Sequence, residues 1–307
     1  MKILVTGSNG LVGNSLMQIL GPEHIYHTRN DCDLSNYQST YDYFYKLKKE
    51  LNFDTIIHCA AKVGGVLFNT NNNDEFFNEN LKINNNVINI AHALGIENFV
   101  NLLSTCIFPS IPQSYPLTAN QIDFGPPHSS NSGYSYAKRL AGYQTKIIRQ
   151  FTNKNWISVV PTNIYGPNDN FNLESSHVIP ALIHKAHLFK KYNKEFVVWS
   201  NGEALRQFIY VDDLSKSILW ALNNWNSDVP FMATNEHEIK LLDIVHLVCE
   251  RFKISDTDVI FDLTKPSGQH RKPAKSDIPS NFEFTSITKG LDITIDWFIK
   301  NYNNLRK

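Results

Sequence analysis

Short apolar runs alternate with longer amphipathic stretches through the first half of the chain, a pattern that predicts strands joined by helical crossovers. Lys2 to Thr6 is the first apolar run, and beyond a glycine-bearing turn Ser15 to Leu20 reads as a helix. His24 to Thr28, Asp54 to Ala60, Asn98 to Leu103 and Trp156 to Pro161 predict the next strands. Between them, Tyr41 to Leu51 predicts one helix, and Asn80 to Leu94 another with Leu81, Ile83, Val87, Ile88 and Ala91 as its apolar residues. The elements then become shorter and mixed. Strands are expected at Glu195 to Trp199 and Gln207 to Val211, and Asp212-Asp213 is expected to open a helix as its N-cap. Further helices are expected near Leu241 to Phe252 and Thr288 to Tyr302. The fold class that follows is α/β: a doubly wound parallel sheet of the Rossmann type with a smaller mixed α/β domain.

Composition narrows the function. The 307 residues carry 29 Lys and Arg against 29 Asp and Glu, and the cations are scattered, so no nucleic-acid footprint is present and a small-molecule partner is expected. Cys32, Cys59, Cys106 and Cys249 include no Cys-x-x-Cys pair, which argues against a metal site and a disulfide framework and for reduced thiols in the cytoplasm. No apolar stretch approaches the roughly 20 residues that cross a bilayer, so neither export nor a membrane partner is expected. Apolar periodicity continues around the clusters Asn69 to Asn73 and Asn84 to Asn86, which therefore read as coding bias rather than disorder.

Candidate chemistry sits at the strand ends. Gly7, Gly10 and Gly13 form a Gly-x-x-Gly-x-x-Gly turn between strand and helix, where backbone N–H groups and the helix dipole favour a pyrophosphate. Arg29 at the end of the second strand favours the 2′-phosphate of NADP(H), and Asp33-Leu34 the adenine. Tyr134 and Lys138 stand four apart, on one helical face, so the cation is expected to draw the phenol pKa down towards neutrality. Ser104 and Cys106 are two apart beyond a strand end and face one way if the strand continues. The polar, aromatic loop Thr162 to Phe171 suits sugar and nucleotide contacts, and Arg206, Lys265, Arg271 and Lys272 suit an anionic ligand.

Together these stretches resemble the extended short-chain dehydrogenase/reductase family, and within it the GDP-L-fucose synthase group, nearly end to end. The residues that carry the resemblance are Ala60-Ala61-Lys62-Val63-Gly64-Gly65, the run Pro161 to Phe171, and Ser176-His177-Val178-Ile179-Pro180-Ala181-Leu182. Val197-Val198-Trp199, Arg206-Gln207-Phe208, Val211-Asp212-Asp213-Leu214 and Lys265-Pro266-Ser267-Gly268 with Arg271-Lys272 are similar too. The resemblance implies NADPH-dependent 4-keto reduction of a GDP-4-keto-6-deoxy sugar, hexose or heptose, with C3 and C5 epimerisation in the same site. It makes Ser104, Tyr134 and Lys138 the reductase triad, and Cys106 and His177 the epimerase acid/base pair. Cofactor contacts would come from Gly7, Gly10, Leu11, Val12, Gly13, Arg29, Asp33, Leu34, Ala60, Ala61, Tyr134, Lys138, Pro161, Asn163, Ile164 and His177. Substrate contacts would come from Val63, Gly64, Ser104, Thr105, Cys106, Asn163, Trp199, Arg206, Lys265 and Arg271.

On this reading residues 1–166 form the NADP(H)-binding domain, with a later contribution around 207–222, and residues 167–307 are mainly the GDP-sugar domain. A homodimer pairing the helix from Tyr134 to Arg149 with its twin is a common arrangement in such families. Three departures stand out: Thr105 and Phe108 replace the group's usual Ser and Tyr beside the sugar, and Asn9 replaces a usual Arg. The first two point to a heptose relative, and the third leaves Arg29 as the main 2′-phosphate partner. Competing readings are a pure C4 reductase of an already epimerised GDP-4-keto-6-deoxy-heptose, a redox-neutral 4-epimerase or 4,6-dehydratase, and a non-catalytic NADP(H)-binding redox sensor.

Overall fold

The protein is described here by a computed structural model covering residues 1–265 and 270–305. The Pro266-Ser267-Gly268 part of the basic stretch lies outside the described residues. In chain order the strands are β1 (Ile3–Thr6), β2 (Ile25–His27), β3 (Thr55–His58), β4 (Asn98–Leu102), β5 (Asn155–Pro161), β6 (Asn163–Tyr165), β7 (Phe196–Trp199), β8 (Leu205–Tyr210), β9 (Phe231–Ala233), β10 (Glu238–Lys240) and β11 (Val259–Asp262). The helices are α1 (Leu11–Leu20), α2 (Tyr37–Leu51), α3 (Val66–Asn71), α4 (Asn73–Ala93), α5 (Ser132–Thr152), α6 (Val178–Tyr192), α7 (Val211–Asn224), α8 (Leu241–Phe252) and α9 (Ile287–Asn301).

Six parallel strands form the main sheet in the order β2-β1-β3-β4-β5-β9. Successive residues of its strands enter different cores, Ile3 and Val5 on one face and Leu4 on the other, which is why the strands read as unbroken apolar runs. Helices α1 and α7 supply Val12, Leu16, Leu214 and Ile218 to the first core, while α4 and α5 supply Val87, Ile88, Ala91 and Ala141 to the second. From β1 the chain moves out to β2 and then returns to the far side of β1 at β3, so the strand order reverses there. The crevice outside the carboxyl ends of β1 and β3 is thus the place where such sheets take a ligand. Two small sheets, β10-β8-β6 and β11-β7, build the later part of the chain.

Several boundaries differ from the sequence expectation for physical reasons. Helix α2 starts four residues earlier than expected, at Tyr37, because the Asn36 side chain accepts from Ser39 N at 2.9 Å and caps it. Asp212 and Asp213 do not cap α7; the cap position is Tyr210, and both carboxylates lie in the first turn. There they bind neighbours: Ser15 Oγ donates to Asp212 at 2.6 Å, and the Thr285 N–H and hydroxyl donate to buried Asp213 at 2.7 and 3.0 Å. Several asparagines of α4 are core polar groups, while Asn85 and Asn89 are exposed. Asn80, Asn84 and Asn86 are buried, and Asn86 donates to the Leu34 carbonyl at 2.9 Å.

Candidate active site

The glycine turn is a close-packed cradle. Gly7 has φ +71°, and a Cβ there would lie 2.8 Å from the Ala60 backbone; one at Gly13 would lie 2.3 Å from the Gly7 carbonyl. No side chain caps α1 at Gly10 and no acid occupies its first turn, so the N–H groups of Leu11 and Val12 stand at a helix N-terminus suited to a diphosphate. A relay fixes the opposite wall. Ala60 N donates to Thr6 Oγ1 at 3.3 Å, Thr6 Oγ1 hydrogen-bonds His58 Nδ1 at 2.7 Å, and His58 Nε2 meets Asn84 Oδ1 at 3.2 Å. Burial pushes the His58 pKa down to about 3, so the ring stays neutral and the relay does not switch with pH. Asn80 then grips Lys62 by both backbone groups at 3.0 Å, holding the run from Ala60 to Val63. Sequence reading missed Thr6 and His58, which close apolar strands, and Asn80 and Asn84, which sit within a helix.

Arg29 and Asp33 form an exposed i,i+4 pair at 3.3 Å at the end of β2, and the Ser35 N–H holds the Asp33 carboxyl below its usual range. Leu34 is buried beneath β2. Pro161 closes β5 inside the sheet, Ile164 packs against the core, and exposed Asn163 donates to the Gln207 carbonyl at 2.8 Å.

Tyr134 and Lys138 lie on α5 over the end of β4, and the ammonium is engaged by the backbone. Lys138 Nζ donates to the Leu102 carbonyl at 2.8 Å, and burial lowers its pKa to about 8. Tyr134 keeps an opening to solvent, yet protein surrounds its hydroxyl, and burial followed by the Cys106 charge raises its pKa. The expected fall towards neutrality is therefore corrected: with the ammonium engaged by a carbonyl, desolvation decides. Nor does β4 continue through Ser104. The chain turns, Ser104 Oγ accepts from Cys106 N at 3.2 Å, and this capped 3₁₀ turn brings Ser104, Thr105 and Cys106 together. Phe108 is wholly buried among Ile107, Leu117 and Val160, so it lines a core and not the sugar pocket.

His177 is the N-cap residue of α6 and offers no side-chain cap bond. Its ring is reached by solvent but ringed by protein at longer range, as in an open cleft, and that surrounding lowers its pKa. Gly65 N donates to the Ser175 carbonyl at 2.8 Å, and a Cβ on Gly65 would lie 2.4 Å from the Ser176 carbonyl, so the Val63-Gly64-Gly65 turn leans directly on the His177 loop. Asn168 ties the same loop to Asn14 of α1 at 2.8 Å. Thr162 Oγ1, Asp169 Oδ2 and Ser176 Oγ are buried without a partner among the described residues.

The substrate-side cations divide. Lys185 Nζ, which sequence reading missed, donates to the Val197 carbonyl at 2.8 Å and stands 5.2 Å from the Trp199 ring, with Lys265 6.0 Å from the same ring. Arg206 donates to the Leu205 carbonyl at 2.8 Å, and burial lowers its pKa. Arg271 is exposed and engaged by Glu238, with its Nε 3.0 Å from both carboxylate oxygens. Its neighbour Lys272 is the inward cation: burial lowers its pKa, and Cys106, Arg139 and Arg206 all lie within its electrostatic reach. Buried Gln207 fixes that segment, accepting from Ala274 N at 2.8 Å and donating to its carbonyl at 3.1 Å.

Comparison with known proteins gives a consistent result. Residues 3–235 match the NAD dependent epimerase/dehydratase family. A GDP-L-fucose synthase of Dictyostelium discoideum is 39% identical, covering 99% of this chain and 97% of its own. GDP-L-fucose synthase 1 of Arabidopsis thaliana is 34% identical over 99% of this chain and 94% of its own. The crystal structure of a GDP-L-fucose synthetase from Naegleria fowleri bound to NADP superposes with a TM-score of 0.90, at 32% identity over 99% of this chain and 94% of that one.

Proposed function

The chain belongs to the NAD dependent epimerase/dehydratase family, and on that premise we propose that it is an NADPH-dependent enzyme of the GDP-L-fucose synthase type. It reduces the 4-keto group of a GDP-4-keto-6-deoxy sugar and inverts C3 and C5 in the same site. The observation that carries this reading is the Ser104, Thr105 and Cys106 turn at the switch-side end of β4, with Tyr134 and Lys138 of α5 above it. The glycine cradle, tight to a Cβ at Gly7 and Gly13, fits a dinucleotide diphosphate, and exposed Arg29 fits a 2′-phosphate.

When bound, NADPH supplies hydride to C4. A Tyr134 hydroxyl with a raised pKa keeps its proton at neutral pH, so it serves as a general acid to O4 as negative charge develops there. Ser104 donates the second hydrogen bond to that oxygen. The 4-keto group acidifies the C–H bonds at C3 and C5, and inversion needs one group on each face of the ring. Cys106 and His177 supply them, the imidazole being neutral at working pH and so able to accept a proton. Arg206 and Lys272 suit the diphosphate, and Trp199 between Lys185 and Lys265 suits the base.

Exposed Tyr136, Leu140, Tyr143, Ile147 and Phe151 make an apolar stripe along α5 that supports a homodimer. Four free thiols support a reducing, cytoplasmic setting. Among the described residues no helix is long and apolar enough to cross a membrane. The test is incubation with NADPH and GDP-4-keto-6-deoxymannose in deuterated water. NADPH oxidation with deuterium at C3 and C5 is expected. Oxidation without deuterium would leave a pure C4 reductase, and no oxidation with this hexose or the heptose analogue would overturn the reading.

A further inference from the structure

Two consecutive cations on α5 grip the two ends of one short segment. Lys138 Nζ donates to the Leu102 carbonyl at 2.8 Å, and Arg139 Nε donates to the Ile107 carbonyl at 2.5 Å. Ser104, Thr105 and Cys106 lie between those carbonyls. The two ends are not equally secured. Near Ser104, Leu103 N donates to Val159 O at 2.8 Å, and Gly142 brings α5 so close that a Cβ there would lie 3.1 Å from the Leu103 side chain. Near Cys106, the Ile107 and Phe108 N–H groups bond only back into the turn, to Ser104 O and Thr105 O at 3.1 and 3.3 Å. The Arg139 bond therefore joins this end of the turn to the helix.

Arg139 holds that bond against a cost. Its Nη2 is buried without a partner among the described residues, and burial lowers the guanidinium pKa. The group also packs over the Tyr136 ring at 5.7 Å, which restricts its swing. An apolar side chain would fill the same space without desolvating a charge.

We infer that Arg139 is a positioning residue, holding the Ile107 carbonyl so that the turn aims Cys106, while Lys138 holds the Ser104 end. The inference rests on Cys106 being a proton-transfer group, as read above. Loss of Arg139 leaves the Cys106 end held by the packing of buried Ile107 and Phe108 without its hydrogen bond to α5, while Ser104 and Lys138 keep theirs. Proton exchange at carbon should then suffer more than hydride transfer.

The experiment compares wild type with Arg139→Met and Arg139→Lys in two assays. One follows deuterium entering C3 and C5 of GDP-4-keto-6-deoxymannose in deuterated water without NADPH. The other follows NADPH oxidation by the same sugar already epimerised. Losing a hydrogen bond from a charged donor predicts about a tenfold fall in exchange for Arg139→Met, with oxidation within about twofold of wild type. Arg139→Lys, which keeps a charged donor, should recover most of the exchange. If Arg139→Met does not fold, Arg139→Gln and Arg139→Lys carry the same comparison of the two rates. Equal losses in both assays, or undiminished exchange, would overturn the inference alone. A wild-type protein that exchanges no deuterium would overturn the epimerising reading, and this inference with it.

Discussion

At the carboxyl ends of β1, β3 and β4 the polar side chains are buried and tied to backbone: Thr6 to Ala60, Asn80 to Lys62, Lys138 to Leu102. At the mouth formed by β7, β8 and residues 270–275 Lys185 and Arg206 also bond backbone carbonyls, but charge there is more open and meets rings and carboxylates: Lys185 and Lys265 at Trp199, Arg271 at Glu238. The first arrangement fixes atoms before any ligand arrives. The second presents charge on flexible stems and lets the ligand complete the order. Changes in the first region should therefore lower turnover, and changes in the second should raise KM.

The largest expected effect is at Tyr134→Phe. Removing the acid should cut kcat by about 10³ with NADPH affinity nearly unchanged, measured by turnover and by cofactor titration. A fall below about tenfold would break the assignment of chemistry to the first region.

Next comes the joint between the regions, where buried Asp169 has its pKa raised to about 7 from 3.8 by burial. Below about pH 3 the carboxyl is largely protonated whether folded or unfolded. Between about 3 and 7 the unfolded chain ionises first, so stability falls as pH rises and stays low above 7. Asp169→Asn should thus gain about 2–4 kcal/mol in urea unfolding at pH 8 and almost nothing near pH 3. A gain equal at both pH values would contradict the buried charge.

Lys272→Met should raise KM for the GDP-sugar about tenfold with kcat within about threefold, the loss of one charged contact to the ligand. Arg271→Met should be the smallest, below about threefold in KM, because that guanidinium is exposed and already satisfied by Glu238. If Arg271 proved the more damaging of the two, the division of the mouth into an inward and an outward cation would fail.

The legible parts were those whose physics is local. Gly7 and Gly13 announce a backbone that tolerates no Cβ, and the long apolar strands of the main sheet announce themselves by burial on both faces. Strands β6, β9 and β10, three residues each, are too short for a period-2 pattern, so the sheet's last strand went unread. The spacing of Tyr134 and Lys138 was visible, but the sign of the phenol shift was not, because it depends first on how the folded chain buries the hydroxyl and then on Cys106. The roles of Asn80 and Asn84 were equally hidden, because their partners come from β3 and the turn after it.

The contact between Gly65 and the Ser176 carbonyl leaves no room for even a methyl group. Mechanically it is a fulcrum, set between the β3 turn and the loop that leads into α6. A movement of that loop towards the β3 turn would meet this contact before any other backbone could close, since Gly65 already rests against the Ser176 carbonyl. A side chain at position 65 would act as a shim, holding the jaws ajar before any chemistry begins.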